Sequence, residues 1–91
     1  MNNIYKQLLE QNGIENQLAV AIEEFSELIK EITKTLRNKS NKMKLIEELA
    51  DVEIVTEQIM QYFNITRSQI LLFKKYKLNR LKEFYLKENE K

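Results

Sequence analysis

Between Leu18 and Leu36, apolar residues stand at Leu18, Ile22, Phe25, Ile29, Ile32 and Leu36, separated by alternating steps of four and three. That rhythm follows the 3.6-residue turn of an α-helix and draws one continuous stripe along its side. Nothing breaks it, because the 91 residues contain no Pro and a single Gly. A turn-rich β-protein needs such breakers, and a glycine-rich phosphate loop needs several glycines close together. The chain is therefore expected to be all-α.

Four helices are predicted. The first, about Asn3 to Gln11, carries Ile4, Leu8 and Leu9 and stops at Asn12-Gly13, where Gly accepts a left-handed backbone. The second runs from about Glu15 to Arg37 and ends in the polar turn Asn38 to Asn41. The third, about Lys42 to Phe63, repeats the spacing with Leu45, Leu49, Val52, Thr56, Ile59 and Phe63, and adds Ile46, Ala50, Ile54 and Met60 on other sides. A helix apolar on more than one side has a second partner, so a subunit interface is expected there. Thr66-x-x-Gln69 reads as a capping box that opens the fourth helix, about Arg67 to Lys87, with Ile70, Phe73, Leu81 and Phe84 as its stripe. Short connections favour antiparallel neighbours, giving an antiparallel bundle of about four helices. Ninety-one residues make one domain with a modest core, which a homo-oligomer would reinforce.

Composition removes much of the possible chemistry. There is no Cys and no His, so disulfides, zinc fingers, thiolate nucleophiles and imidazole bases are excluded. No apolar run has membrane-spanning length, and the amino terminus lacks a secretory pattern, so a cytoplasmic protein without a membrane partner is expected. The net charge of +1 is unevenly spread: residues 1–63 hold 7 basic and 11 acidic residues, a balance of −4, and residues 64–91 hold 8 and 3, a balance of +5. An acidic body followed by a basic helix suits a cation and an anion held side by side.

The acids themselves form two short repeats, Glu24-x-x-Glu27 and Glu48-x-x-Asp51. Carboxylates three residues apart leave a helix on the same side, so two adjacent helices can aim four at one small volume. Four such charges repel unless a cation lies between them. With Phe25 as the origin of a helical wheel, Glu24 falls near −100° and Glu27 near −160°, both flanking the stripe. With Val52 as origin, Asp51 lies near −100° but Glu48 near −40°, inside the apolar stripe. Burying an unpaired carboxylate costs several kcal/mol, so Glu48 is expected to be protonated, paired, or at a metal. On the fourth helix Lys77 interrupts the apolar stripe in the same way, and Lys77 with Arg80 forms a pair suited to a polyphosphate. The alternative for Lys77 is a stem on the core with its ammonium in solvent or paired with Glu48. Glu23, Glu31, Glu47, Glu53 and Glu57 are expected at the surface or in supporting roles.

The strings Glu23-Glu24-Phe25-Ser26-Glu27-Leu28 and Glu47-Glu48-Leu49-Ala50-Asp51-Val52 resemble the E-E-x-x-E and E-x-x-D signature of the MazG-like all-α nucleoside triphosphate pyrophosphohydrolases. The 20 residues between the motifs and the segment Tyr76-Lys77-Leu78-Asn79-Arg80 are also similar to that family's layout. The likeness covers about residues 14–82 and would make 1–91 a single MazG-like helical domain. It implies an enzyme that hydrolyses a nucleoside triphosphate to the monophosphate and pyrophosphate with Mg²⁺, or Mn²⁺ in its place, working as a homodimer or homotetramer. Glu24, Glu27, Glu48 and Asp51 would be metal ligands, Glu27 or Glu48 the catalytic base, and Lys77 with Arg80 the phosphate-binding residues. An all-oxygen ligand set agrees with that choice of metal. Tyr62, Phe63, Phe73 and Tyr76 are the aromatic candidates for stacking a base.

Two other classes compete with this one. A non-catalytic helical interaction module would pair its stripes with partner helices and its carboxylates with Lys77 and Arg80. Nucleic-acid binding through the fourth helix is disfavoured by the leucines and acids on that helix.

Overall fold

The computed structural model describes residues 2–39 and 41–86, and among them every regular element is an α-helix. The four are α1 (Asn3–Asn12), α2 (Ile14–Leu36), α3 (Lys42–Tyr62) and α4 (Arg67–Leu86), each boundary within one residue of expectation; Lys87 lies outside the described residues. None of these helices is long and apolar enough to cross a membrane.

Local chemistry sets the ends. Asn2 caps α1, its side-chain oxygen accepting from the N–H of Ile4 at 2.9 Å, and Asn41 caps α3 by accepting from Lys44 N–H at 3.1 Å. Thr66 and Gln69 form the expected capping box: Thr66 N–H donates to Gln69 Oε1 at 2.9 Å, and Gln69 N–H donates to Thr66 Oγ1 at 3.1 Å. The three breaks between helices each use a left-handed residue: Gly13 at φ 83°, Asn38 at 58° and Asn64 at 56°. Gly has no Cβ to clash there, and the short polar side chain of Asn tolerates the same region.

The α2 and α3 helices form an antiparallel hairpin, so the start of α2 at Gln17 lies level with the end of α3 at Gln58. The α1 helix crosses both. Its amino-terminal end is fastened to α3 by polar links. Asn2 N–H donates to Gln61 Oε1 at 3.0 Å, and Gln61 Nε2 donates back to Asn2 O at 3.2 Å. The Tyr5 hydroxyl donates to Glu57 at 2.6 Å, and the Tyr62 hydroxyl donates to Tyr5 O at 2.9 Å. The bond to the Glu57 carboxylate, followed by burial, pushes the Tyr5 phenol up to about 12.

The faces differ from expectation. The line of α2 turned to α3 is Gln17, Ala21, Glu24, Leu28 and Glu31, and the answering line on α3 is Glu48, Asp51, Val55, Gln58 and Tyr62. Both keep the four-three rhythm but stand one residue, about 100°, away from the apolar stripes. The stripe of α2 therefore faces outward, with Ile22 68%, Ile29 62% and Leu36 82% exposed. On α3, Leu45, Val52 and Ile59 are half-buried while Leu49, Thr56 and Phe63 are exposed. A two-helix hairpin has one inner face, so a helix carrying two parallel lines can bury only one of them within the chain.

The expected bundle is also incomplete. Helix α4 packs against none of the other three, and Phe73, Leu81 and Phe84 are exposed, with Ile70 half-buried. The turn at Asn64 followed at once by the Thr66 cap starts α4 in a direction that leads away from the hairpin. The radius of gyration is 17.0 Å, against roughly 12 Å for a compact domain of this length.

Candidate metal centre

At the middle of the hairpin, Glu24 on α2 meets Asp51 and Glu48 on α3. One carboxylate oxygen from each lies within 4.8 Å of the other two. The geometry follows from the helices: Glu48 and Asp51 are three residues apart and point the same way, and the antiparallel register brings Glu24 level with Asp51.

Glu48 is the most constrained of the three. It is 4% exposed, as its place in the stripe predicted. Its Oε1 accepts from Lys44 Nζ at 3.2 Å, one helical turn earlier, and its Oε2 is buried with no hydrogen-bond partner. An unsatisfied buried acceptor costs about 1–3 kcal/mol, more when it carries charge. Glu24 is half-buried, and its carboxyl is held above the usual range. Burial is the largest cause; the charge of Asp51, a hydrogen bond shared with it, and the charges of Glu48 and Glu23 follow. On the other side of the pair, the Lys44 ammonium is raised by its bond to Glu48 and by the charges of Glu48 and Glu47. Three oxygens with no nitrogen or sulfur donor, one of them orphaned in the interior, are the environment a hard divalent cation satisfies. The residues fit the metal that the sequence motifs called for.

Not every predicted residue joins the group. Glu27 lies outside it, half-buried, with its carboxylate 3.8 Å from Lys30 Nζ. Lys77 and Arg80 lie on α4, exposed, so within one chain neither meets the acids. The cation beside Glu48 is Lys44 instead, and the expectation of Lys77 facing Glu48 is replaced on that point. Among the aromatic candidates, Tyr62 is engaged with α1, while Phe63, Phe73 and Tyr76 are exposed.

Three polar residues that the motifs did not flag are buried in the hairpin. Glu31 is paired with Lys34 at 3.1 Å, and Gln17 and Gln58 lie further along the same inner face. A signal for them existed. Gln17, Glu24 and Glu31 recur every seven residues on α2, and Asp51 and Gln58 do so on α3. A seven-residue step returns to the same side of a helix, so one buried member marks the others.

The fold and site thus define an all-helical protein with a three-carboxylate cluster between two antiparallel helices. Compared with models of known families, with characterised proteins and with solved structures, the chain matches none.

Proposed function

We propose that the chain is a divalent-metal-dependent nucleoside triphosphate pyrophosphohydrolase of the MazG-like kind, acting in the cytoplasm as a homo-oligomer. The observation that carries this reading is the buried, unpartnered Glu48 oxygen beside Glu24 and Asp51, in the two motifs that resemble the family signature. Glu24, Glu48 and Asp51 would hold the ion. Bound there, Mg²⁺ would offset the triphosphate charge and lower the pKa of water near the α-phosphorus. Glu48 is tied to Lys44 and to the cluster, which leaves Glu27, one turn from Glu24, as the carboxylate that accepts the water proton. Lys44 keeps Glu48 oriented and ionised.

Lys77 and Arg80 enter this reading from a second copy. The chain exposes 7920 Å², against roughly 5,600 Å² expected for a compact monomer of its mass. The excess exceeds the roughly 1,600 Å² that a standard two-partner interface buries. The outer stripe of α2 and the apolar residues of α4 are the surfaces that would be covered, and the basic α4 would approach the acidic hairpin of its neighbour.

The test is direct. The purified protein is incubated with each common and modified nucleoside triphosphate plus Mg²⁺, and pyrophosphate is assayed. Release with at least one substrate, lost in Glu48→Gln, is expected; no release with any substrate, and identical behaviour of the variant, would sink the enzymatic reading. The exposed apolar faces favour one second reading, the non-catalytic interaction module, for which Mg²⁺ would leave the unfolding temperature unchanged.

A further inference from the structure

A cavity of about 310 Å³ runs from the acidic cluster toward the end of the hairpin where α1 crosses, with Glu24 and Asp51 on its wall at one end and Gln17 and Gln58 further in. That volume lies at the small end of the roughly 300–1,000 Å³ range of ligand pockets. Its middle is apolar, lined by Val20, Ile54 and Val55. Gln17 is 6% and Gln58 5% exposed, and among the described residues neither carboxamide has a hydrogen-bond partner. Neither amide is sealed in the core either, since the one fully enclosed, unsatisfied side-chain atom among the described residues is Glu48 Oε2. Two carboxamides, each a donor and an acceptor, therefore present their edges to the cavity.

Spacing relates them to the carboxylates. Gln17 precedes Glu24 by seven residues and Gln58 follows Asp51 by seven, so in antiparallel helices both amides stand about 10 Å from the acids on the same side. A nucleoside bridges such a span, with its phosphates at one end and its base at the other. Flat apolar walls accept the faces of a base, and carboxamides match the adjacent donor and acceptor that every nucleobase carries on its edge.

We infer that this cavity is a nucleobase subsite, in which Gln17 and Gln58 bind the base edge while the phosphates lie at the carboxylate cluster. The inference rests on the pyrophosphohydrolase reading, and it makes the amides the residues that select the base. A buried amide left unpaired by the wrong base disfavours that ligand by roughly 5- to 150-fold.

The test is calorimetric titration of the full chain in Mg²⁺ with inorganic tripolyphosphate and with the α,β-methylene triphosphates of adenosine, guanosine, cytidine and uridine. Expected is at least one nucleotide binding tenfold or more tighter than tripolyphosphate, with that advantage lost in Gln58→Leu and Gln17→Leu. Val20→Phe, which fills the cavity from its rim without touching the amides, is expected to abolish the same advantage. Tripolyphosphate binding should persist in all three. Equal affinity for tripolyphosphate and all four nucleotides would overturn the subsite and leave the metal centre standing. So would a base preference unchanged by all three variants. Binding of no phosphate ligand at all would overturn both.

Discussion

Replacing Glu48 by Gln tests the metal centre without any substrate. In the metal-free protein the wild-type carboxylate has one buried oxygen with no partner and two other carboxylates within 4.8 Å. Gln removes the charge and supplies an amide N–H₂ that can donate to Glu24 or Asp51. What is lost is the Lys44 pair, an exposed-partner i, i+4 contact worth about 0.3–0.5 kcal/mol. Relief of the unsatisfied acceptor is worth about 1–3 kcal/mol, so the variant should gain a net 1–2 kcal/mol, or roughly 5–15 °C in Tm for a chain of this size. Magnesium should reverse the order. At a free concentration a hundredfold above Kd it stabilises the wild type by about 2.7 kcal/mol and leaves the variant nearly where it was. The assay is thermal unfolding by circular dichroism at one fixed protein concentration, in EDTA and across a MgCl₂ series. A variant that melts below the wild type in EDTA, or that gains as much from Mg²⁺, would refute the reasoning.

The raised carboxyl of Glu24 gives a pH signature in the metal-free protein. The folded state holds this proton to higher pH than the unfolded state, so stability is greatest below the unfolded pKa and falls as pH rises through the folded one. Urea unfolding in EDTA should show that fall, and Glu24→Gln should flatten it; an unchanged slope would dissociate Glu24 from the cluster. Lys77→Ala and Arg80→Ala should each raise KM for the triphosphate about tenfold while the circular dichroism spectrum stays the same, since both side chains are exposed. A KM within twofold of the wild type would remove α4 from the phosphate site. Ile29→Glu places a charge on the outer stripe of α2, where the chain itself buries little, and should reduce the sedimenting mass to that of one chain. An assembly that survives it does not use that stripe.

The elements were legible because each helix end has a local chemical cause: Gly13, Asn38 and Asn64 for the breaks, Thr66 with Gln69 for the last start. The burial of Glu48 was legible too, from its angle within an apolar stripe. What the wheel could not tell was which of two equivalent lines turns inward. On α2 the lines through Phe25 and through Glu24 share the same rhythm, and hydrophobicity alone favours the former. The structure turns the Glu24 line inward, because the inner face of the hairpin is chosen jointly with α3 and the outer stripe is free for another surface. The placement of α4 was illegible for a related reason. Its apolar residues announce a partner without saying whether that partner belongs to the same chain.

The manner in which α1 is attached has its own thermodynamic consequence. Tyr5 is its one buried residue, and it is held chiefly by hydrogen bonds from Asn2, Tyr5, Gln61 and Tyr62 at one end, with the Gly13 joint at the other. Release of a helix that covers little apolar surface changes the heat capacity little, so its detachment is governed by bond enthalpy rather than by water structure. Such a segment opens as a separate unit, below the free energy of global unfolding. Because Leu8 and Asn12 of this helix wall the cavity beside Gln17, the amide-lined chamber has a hinged side, and warming alone should widen it before the hairpin gives way.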